Sequence, residues 1–205
     1  MTNYGMIPSI IDGTEDIFEE PKNIGLPKQF SYKKYLPEVL NQGANPICVP
    51  CSLSAYINWD INLKDGIEND NKVKVFDIFN NRGHYESGMT FKEALKYLQK
   101  EGVKTIKGNY QINRYAKVNS TMALKYALIL NGPCVGGLPV YDSTATEFWK
   151  RVNAELEGLH AVCIVGYNDD GFIIRNSWGS YYGEDGYSFI TNEDANNFTE
   201  IWTIV

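Results

Sequence analysis

The sequence predicts an α+β fold, helices first and strands second. Apolar residues recur at helical spacing as far as about Leu130, and from Cys134 onward strand-like runs replace them. No internal repeat, low-complexity tract or Gly/Ser linker divides the 205 residues, so the two halves belong to one compact unit with a cleft where they meet.

Residues 1–30, rich in Pro, Gly and acids, read as an extended N-terminal arm to a domain over 31–205. The first helix runs from Pro50 to about Asn62 on the spacing of Leu53, Tyr56 and Ile57; proline is tolerated only in a helix's first turn, which puts the start close to Cys48. A second covers Thr90 to Lys100, with Phe91, Ala94, Leu95 and Leu98 as its stripe and Gly102 as its stop. A third spans Ser120 to Leu130 and ends at Asn131-Gly132-Pro133. Strands follow over Cys134–Val140, His160–Tyr167, Phe172–Asn176, Tyr187–Thr191 and Ile201–Val205, the second and third forming a hairpin around Asn168-Asp169-Asp170-Gly171.

Composition narrows the function. With 43% apolar and 21% charged residues the chain builds a real core. A net charge of −6 without any basic run lacks the electrostatic footprint of nucleic-acid or anionic-membrane binding, so a peptide or protein partner is expected. The N-terminus has neither a basic n-region nor a continuous apolar h-region, and no apolar run reaches about 18 residues. The expectation is a soluble chain in a cytoplasm. The four cysteines, Cys48, Cys51, Cys134 and Cys163, are too scattered for a disulfide framework and fit a reducing compartment.

Cys48-Val49-Pro50-Cys51 has three chemical readings. As a C-x-P-C redox pair at a helix start it has a thiol of depressed pKa, yet turn-like residues 41–46 precede it where a buried strand is required. As half a zinc site it lacks partners, since the chain has two histidines and no second C-x-x-C; neither metal nor cofactor is expected. As a lone nucleophile, it needs a base and a group to orient that base. His84 lies in the polar stretch NNRGHYESG and reads as a solvated loop residue. His160 opens an apolar strand with Asn176 near it on the returning strand; standing alone it would read as a satisfied core histidine.

It does not stand alone. His160-Ala161-Val162, Val165-Gly166-Tyr167, Ile174-Arg175-Asn176-Ser177-Trp178-Gly179 and Gly183-Glu184-Asp185-Gly186-Tyr187 resemble the His and Asn blocks of the papain-like cysteine proteases, with the family's His-to-Asn spacing. Asn41-Gln42-Gly43, with a cysteine six residues after the glutamine, resembles the N-terminal block. That register makes Cys48 the nucleophile and puts Ser52 at the family's usual serine. The rival alignment makes Cys51 the nucleophile, with a three-residue insertion after Gln42. The resemblance covers about Leu26 to Tyr187 and is weak in the middle.

The resemblance implies a two-lobed fold, with a helical lobe over about 45–118 and a β-barrel-like lobe over about 119–205 that takes in the N-terminal segment. It implies a cysteine endopeptidase acting through a Cys48–His160–Asn176 triad and a thioester, with Gln42 in the oxyanion hole and Trp178 shielding the His–Asn bond. For substrate-binding residues it points to Gly88, Met89, Pro133, Leu159 and Trp178. Three departures stand out: Val49 replaces the tryptophan after the nucleophile, Asn45 replaces a disulfide cysteine, and the upstream segment is short for a full inhibitory propeptide. The first two resemble cytosolic, bacterial or phage-type members, for which association with a virion is compatible. Against peptidase activity stand a catalytically silent peptide-binding or assembly protein of the same fold, the C-x-P-C oxidoreductase, and a cell-wall amidase of the related clan, which usually lacks the Asn-Ser-Trp-Gly block.

Overall fold

Pro50 sits in the first turn of an 18-residue helix, where its missing N–H removes no hydrogen bond. Around that helix the rest of the chain is arranged. The computed structural model describes residues 4–68, 70–83 and 87–205; His84 lies outside them. In chain order the elements are β1 (Phe30–Ser31), a 3-10 turn (Lys33–Tyr35), α1 (Cys48–Asp65), α2 (Val75–Phe79), α3 (Phe91–Lys100), β2 (Val103–Thr105), β3 (Gly108–Tyr110), β4 (Tyr115–Lys117) and α4 (Thr121–Asn131). After these come β5 (Cys134–Val140), β6 (Gly158–Tyr167), β7 (Gly171–Arg175), β8 (Tyr187–Thr191), a second 3-10 turn (Asp194–Asn197) and β9 (Glu200–Ile204).

Among the described residues the sheet is antiparallel and seven-stranded, in the order β4-β9-β5-β6-β7-β8, with β1 paired to the end of β6. β6 reads as an unbroken apolar run because both of its faces are covered. Ala161, Cys163 and Val165 pack toward α1 and the helices beyond it, with Leu53, Ile57, Phe91 and Leu95. Val162 and Ile164 pack the other way, with Leu124 and Leu128 of α4 and with Phe148 and Trp149.

α1 is buried from Cys48 to Asn62, polar residues included. Its amides do the work of missing secondary structure in the loop that follows. Asn58 Nδ2 donates to Ser54 O at 2.7 Å, its Oδ1 accepts from Lys72 N at 2.8 Å, and Asn62 Nδ2 reaches Tyr35 O and Glu68 O. Asp60 accepts from Tyr110 Oη and Lys64 Nζ, each at 2.7 Å. Burying these amides and this carboxylate is tolerated because each is hydrogen-bonded.

The fold is α+β, with antiparallel pairing throughout the sheet. The predicted helices and strands are all present, their ends shifted by a few residues. Four short features carried no legible signal: β1 and β4 are two and three residues long, the β2–β3 hairpin turns on Thr105–Gly108 between three-residue strands, and α2 has the β-branched and aromatic composition of a strand. Residues 4–29 form no helix, and isolated bridges tie them to Met89 and Lys117.

Thr90 caps α3 with a reciprocal pair of bonds, accepting from Glu93 N at 3.1 Å while Glu93 accepts from Thr90 N at 3.0 Å. Thr90→Ala is expected to lower stability by about 1 kcal/mol in urea denaturation, with the m-value unchanged.

Candidate active site

The site forms where the first turn of α1 meets β6. Cys48 is the first residue of α1 and fully buried, and the backbone amides of Cys48, Val49 and Ala161 are directed at its sulfur. The first two are donors that a helix start leaves without intrahelical partners. The third belongs to the residue after His160, so the thiol and the imidazole are neighbours.

The imidazole is held from behind. His160 Nε2 lies 2.8 Å from Asn176 Oδ1, and the backbone N–H of Ser177 donates to the same oxygen at 2.6 Å. A backbone amide is only a donor, so the atom it meets must accept, and His160 Nε2 therefore carries the proton. Nδ1 is left as the acceptor, buried and without a hydrogen-bond partner among the described residues. Trp178 stacks on the ring at 4.4 Å between centroids and 27° between planes, Phe148 meets it edge-on at 5.6 Å, and Tyr182 packs edge-on against Trp178. Together these rings keep water off the His–Asn bond.

Gln42 is sewn to the Asn176 loop. Its N–H donates to Ser177 O at 2.8 Å, its Oε1 accepts from Ser177 Oγ at 2.6 Å, and its Nε2 donates to Asn45 O at 3.0 Å. One of the two amide hydrogens is thereby used and one is left for a ligand. Arg175 fixes the approach to this turn, donating to Glu38 O at 2.8 Å and to Tyr187 Oη at 2.7 Å. The sequence marked Arg175 and Ser177 only as parts of a motif; their positioning contacts reach across 137 and 135 residues and have no local signal.

The cleft is filled by the chain's own arm. Cys48 Sγ donates to Tyr4 O at 3.4 Å. Met89 N donates to Gly5 O at 2.9 Å and Ile7 N to Met89 O at 3.1 Å, a parallel bridge along one cleft wall. Gly88, at φ +113°, lets the arm come this close, since a Cβ there would lie 2.7 Å from Gly5 O. The Met6 side chain fills the space above Gly137, where a Cβ would lie 2.1 Å from its Cε. Beyond the cleft the arm is latched: Lys92 Nζ meets Glu15 at 2.5 Å, Ile10 O at 2.9 Å and Asp12 at 3.5 Å, and Phe18 N donates to Lys117 O at 2.9 Å.

This occupancy sets the electrostatics. Burial pushes the Cys48 thiol up to about 12 and lowers His160 to about 4, although its bond to Asn176 favours the charged ring. The closed site therefore holds a neutral thiol and a neutral imidazole. The helix start and its amides are present as expected, but desolvation outweighs them while the arm excludes water.

Gly88 and Met89 lie against the arm's residues 5–7, and half-buried Leu159 precedes His160 on β6. Trp178 covers His160, with the Tyr4 ring 6.4 Å from it. Pro133 is elsewhere. Leu138 is the residue of β5 opposite His160, so Pro133, five residues back along the chain, is about 16 Å along the strand direction from that position. The glycine that shapes the cleft is Gly137. Cys51 is buried near Arg175, and all four cysteines are free. Among the described residues no group of three His, Cys, Asp or Glu is placed to hold a metal ion.

The arrangement of thiol, imidazole, amide and indole defines a class, and sequence comparison agrees with it. A profile of the papain family cysteine proteases matches residues 49–203, and the chain belongs to that family. Among solved structures it is similar to xylellain, a cysteine protease from Xylella fastidiosa, at 27% identity and a TM-score of 0.83 over 99% of this chain and 96% of that one. A peptidase C1-like protein of Acanthamoeba polyphaga mimivirus is 26% identical over 96% of this chain and 76% of its own. Cathepsin B-like cysteine proteinase 1 of Haemonchus contortus is 33% identical over 38% of this chain, and that match spans a quarter of the relative's length.

The pH dependence of closure follows from the dyad. His160 at about 4, against an ordinary 6.5, means that the open state takes up a proton first. Closure is therefore favoured between pH about 6.5 and about 9, is lost as pH falls toward about 4, and weakens again above about 9, where the open thiol gives up the proton that the closed site holds. Asp12, held at about 2 by the Thr14 hydroxyl and amide and by Lys92, keeps its part of the latch to lower pH. Hydrogen exchange, corrected for intrinsic rate, should show residues 4–7 and Met89 losing protection between pH 6.5 and 4 while residues 15–18 keep theirs. Protection that is flat across this range, or lost first at residues 15–18, would contradict it.

Proposed function

We propose that the chain is a cysteine endopeptidase acting on peptide or protein substrates, held closed by its own residues 4–7. The observation that carries this is the Cys48 sulfur at a helix start, facing the Ala161 amide, beside an imidazole whose Nε2 is fixed on Asn176. When the arm leaves and water enters, the desolvation that keeps both groups neutral is relieved. The thiol proton then passes to His160 Nδ1, and three backbone amides stabilise the thiolate.

The thiolate attacks the substrate carbonyl carbon, and the carbonyl π electrons move to oxygen. The free hydrogen of Gln42 Nε2 and the Cys48 backbone N–H hold that oxyanion. As the tetrahedral intermediate collapses the C–N bond breaks, and the leaving amine takes the proton from Nδ1. Water, giving its proton back to Nδ1, then hydrolyses the thioester and releases the second product. Asn176 keeps the ring aimed throughout. The filled cleft also favours a second reading, a silent family member whose groove serves only to bind.

Full-length protein should be labelled at Cys48 by an epoxysuccinyl electrophile. Cys48→Ala should abolish both labelling and peptide cleavage, and Cys51→Ala should keep most of each. Met6→Ala should speed labelling by about tenfold or more, because emptying a site filled by a buried methionine costs about 2 kcal/mol or more in the closed state. Labelling at Cys51 would move the nucleophile. Labelling at Cys48 with no peptide cut, even in Met6→Ala, would establish the silent reading.

Gln42→Ala should lower kcat by about a hundredfold or more with Cys48 labelling largely retained, since the lost donor acts on the oxyanion. Equal loss of kcat and labelling would mean that Gln42 serves only to hold the turn.

A further inference from the structure

Cys51 is a buried thiol that the reaction does not use. Its surroundings are not those of an apolar filler, since it lines a small cavity with Ser54, Asn58, Asn71 and Arg175. Arg175 is itself buried, and among the described residues no carboxylate is ion-paired to its guanidinium. Its printed bonds go to two neutral oxygens, Glu38 O and Tyr187 Oη, and leave its charge uncompensated. Burial pushes the Cys51 thiol up and the neighbouring Cys48 thiol adds to this, while the Arg175 charge opposes both.

Helix register brings the two thiols together. Cys48 is the first residue of α1 and Cys51 the fourth. Three positions along a helix put their α-carbons about 5 Å apart, inside the range of about 4.4–6.8 Å that a disulfide spans. The β-carbons of such a pair are about 5–6 Å apart against about 3.8 Å in a disulfide, so the first turn must yield by about 1–2 Å. That turn is lightly fastened. Ile47 supplies no side-chain cap, Pro50 has no N–H, and Cys51 N closes the turn on Ile47 O at 2.9 Å. In the closed protein the arm works against the bond, because Cys48 Sγ is held on Tyr4 O and is fully buried.

We propose that Cys48 and Cys51 form a reversible disulfide when a peroxide enters the opened cleft, a modification that goes beyond peptide hydrolysis. The Cys48 thiolate attacks one oxygen of hydrogen peroxide. An S–O bond forms, the O–O bond breaks, and the hydroxide that leaves takes the proton Cys48 had given to His160, becoming water. Cys51 then attacks Cys48 Sγ. The S–S bond forms, the S–O bond breaks, and the second hydroxide carries off the Cys51 proton as water. The two sulfurs together lose two electrons and the peroxide gains them. Arg175 stabilises the Cys51 sulfur as its proton leaves. The disulfide takes the nucleophile from His160 but keeps it recoverable by thiols, whereas a Cys48 sulfenic acid with no partner is oxidised on to sulfinic acid, which thiols do not reverse.

The test treats the full-length protein and its Met6→Ala variant with hydrogen peroxide and reads Cys48 by mass mapping and by epoxysuccinyl labelling. The peptide holding both cysteines should lose two hydrogens and accept an alkylating agent only after reduction. It should form about tenfold or more faster in Met6→Ala, whose cleft opens more readily. Dithiothreitol should restore labelling at Cys48. Adding Cys51→Ala to Met6→Ala should leave labelling intact before peroxide, but the same exposure should then abolish it beyond recovery, with sulfinic acid at Cys48. Full recovery in the Cys51→Ala protein, a disulfide mapped to Cys134 or Cys163, or equal rates with and without Met6→Ala would overturn the proposal. Mass and labelling are independent of peptide cleavage, so failure to cut any peptide bears on the peptidase reading alone.

Discussion

The packing of α1 on β6 is the constraint on which the site depends. It brings the first-turn amides of Cys48 and Val49 and the strand amide of Ala161 to one sulfur atom. The two-residue alternation of β6 then turns His160 onto the opposite face from Ala161, against Phe148 and Trp178. A shift of one residue in the pairing of β5 with β6 would exchange the faces and put the imidazole in the α1 interface. The register is held along seven consecutive partners, from Cys134↔Ile164 to Val140↔Gly158.

A second set of constraints keeps the imidazole from behaving as an ordinary buried histidine. The Ser177 amide fixes which way the Asn176 side chain faces, and that decides which ring nitrogen holds the proton. Ser177 also ties down Gln42, so one short loop controls both the base and the oxyanion donor. Arg175 and the glycine turns hold that loop against residues 38–41, with Gly179 N donating to Leu40 O at 3.0 Å. Chemistry spread over 135 residues of chain is thereby coupled through a few backbone bonds.

The arm uses the same groups for restraint. It satisfies the thiol, the Met89 backbone and Glu200 at once. By excluding water it raises the thiol and lowers the imidazole, so closure removes the ion pair as well as the space. The latch at Lys92 lies outside the cleft and titrates in a different range. Contact with the dyad and attachment to the body are for that reason separable in pH.

Sequence alone determined the order of helices and strands, because periodicity and proline and glycine stops are local. It also marked Cys48, His160, Asn176 and Gln42, whose motifs are short and specific. The tertiary structure decided the rest. Gly137 and Glu200 become neighbours only through strand register across 63 positions of chain, and Pro133 lies at the far end of β5 from the residue opposite His160. Residues 4–7 carry no pattern that says where they lie. Their position depends on the Met89 backbone, the space above Gly137 and the buried thiol, and none of these exists until the fold has closed around α1.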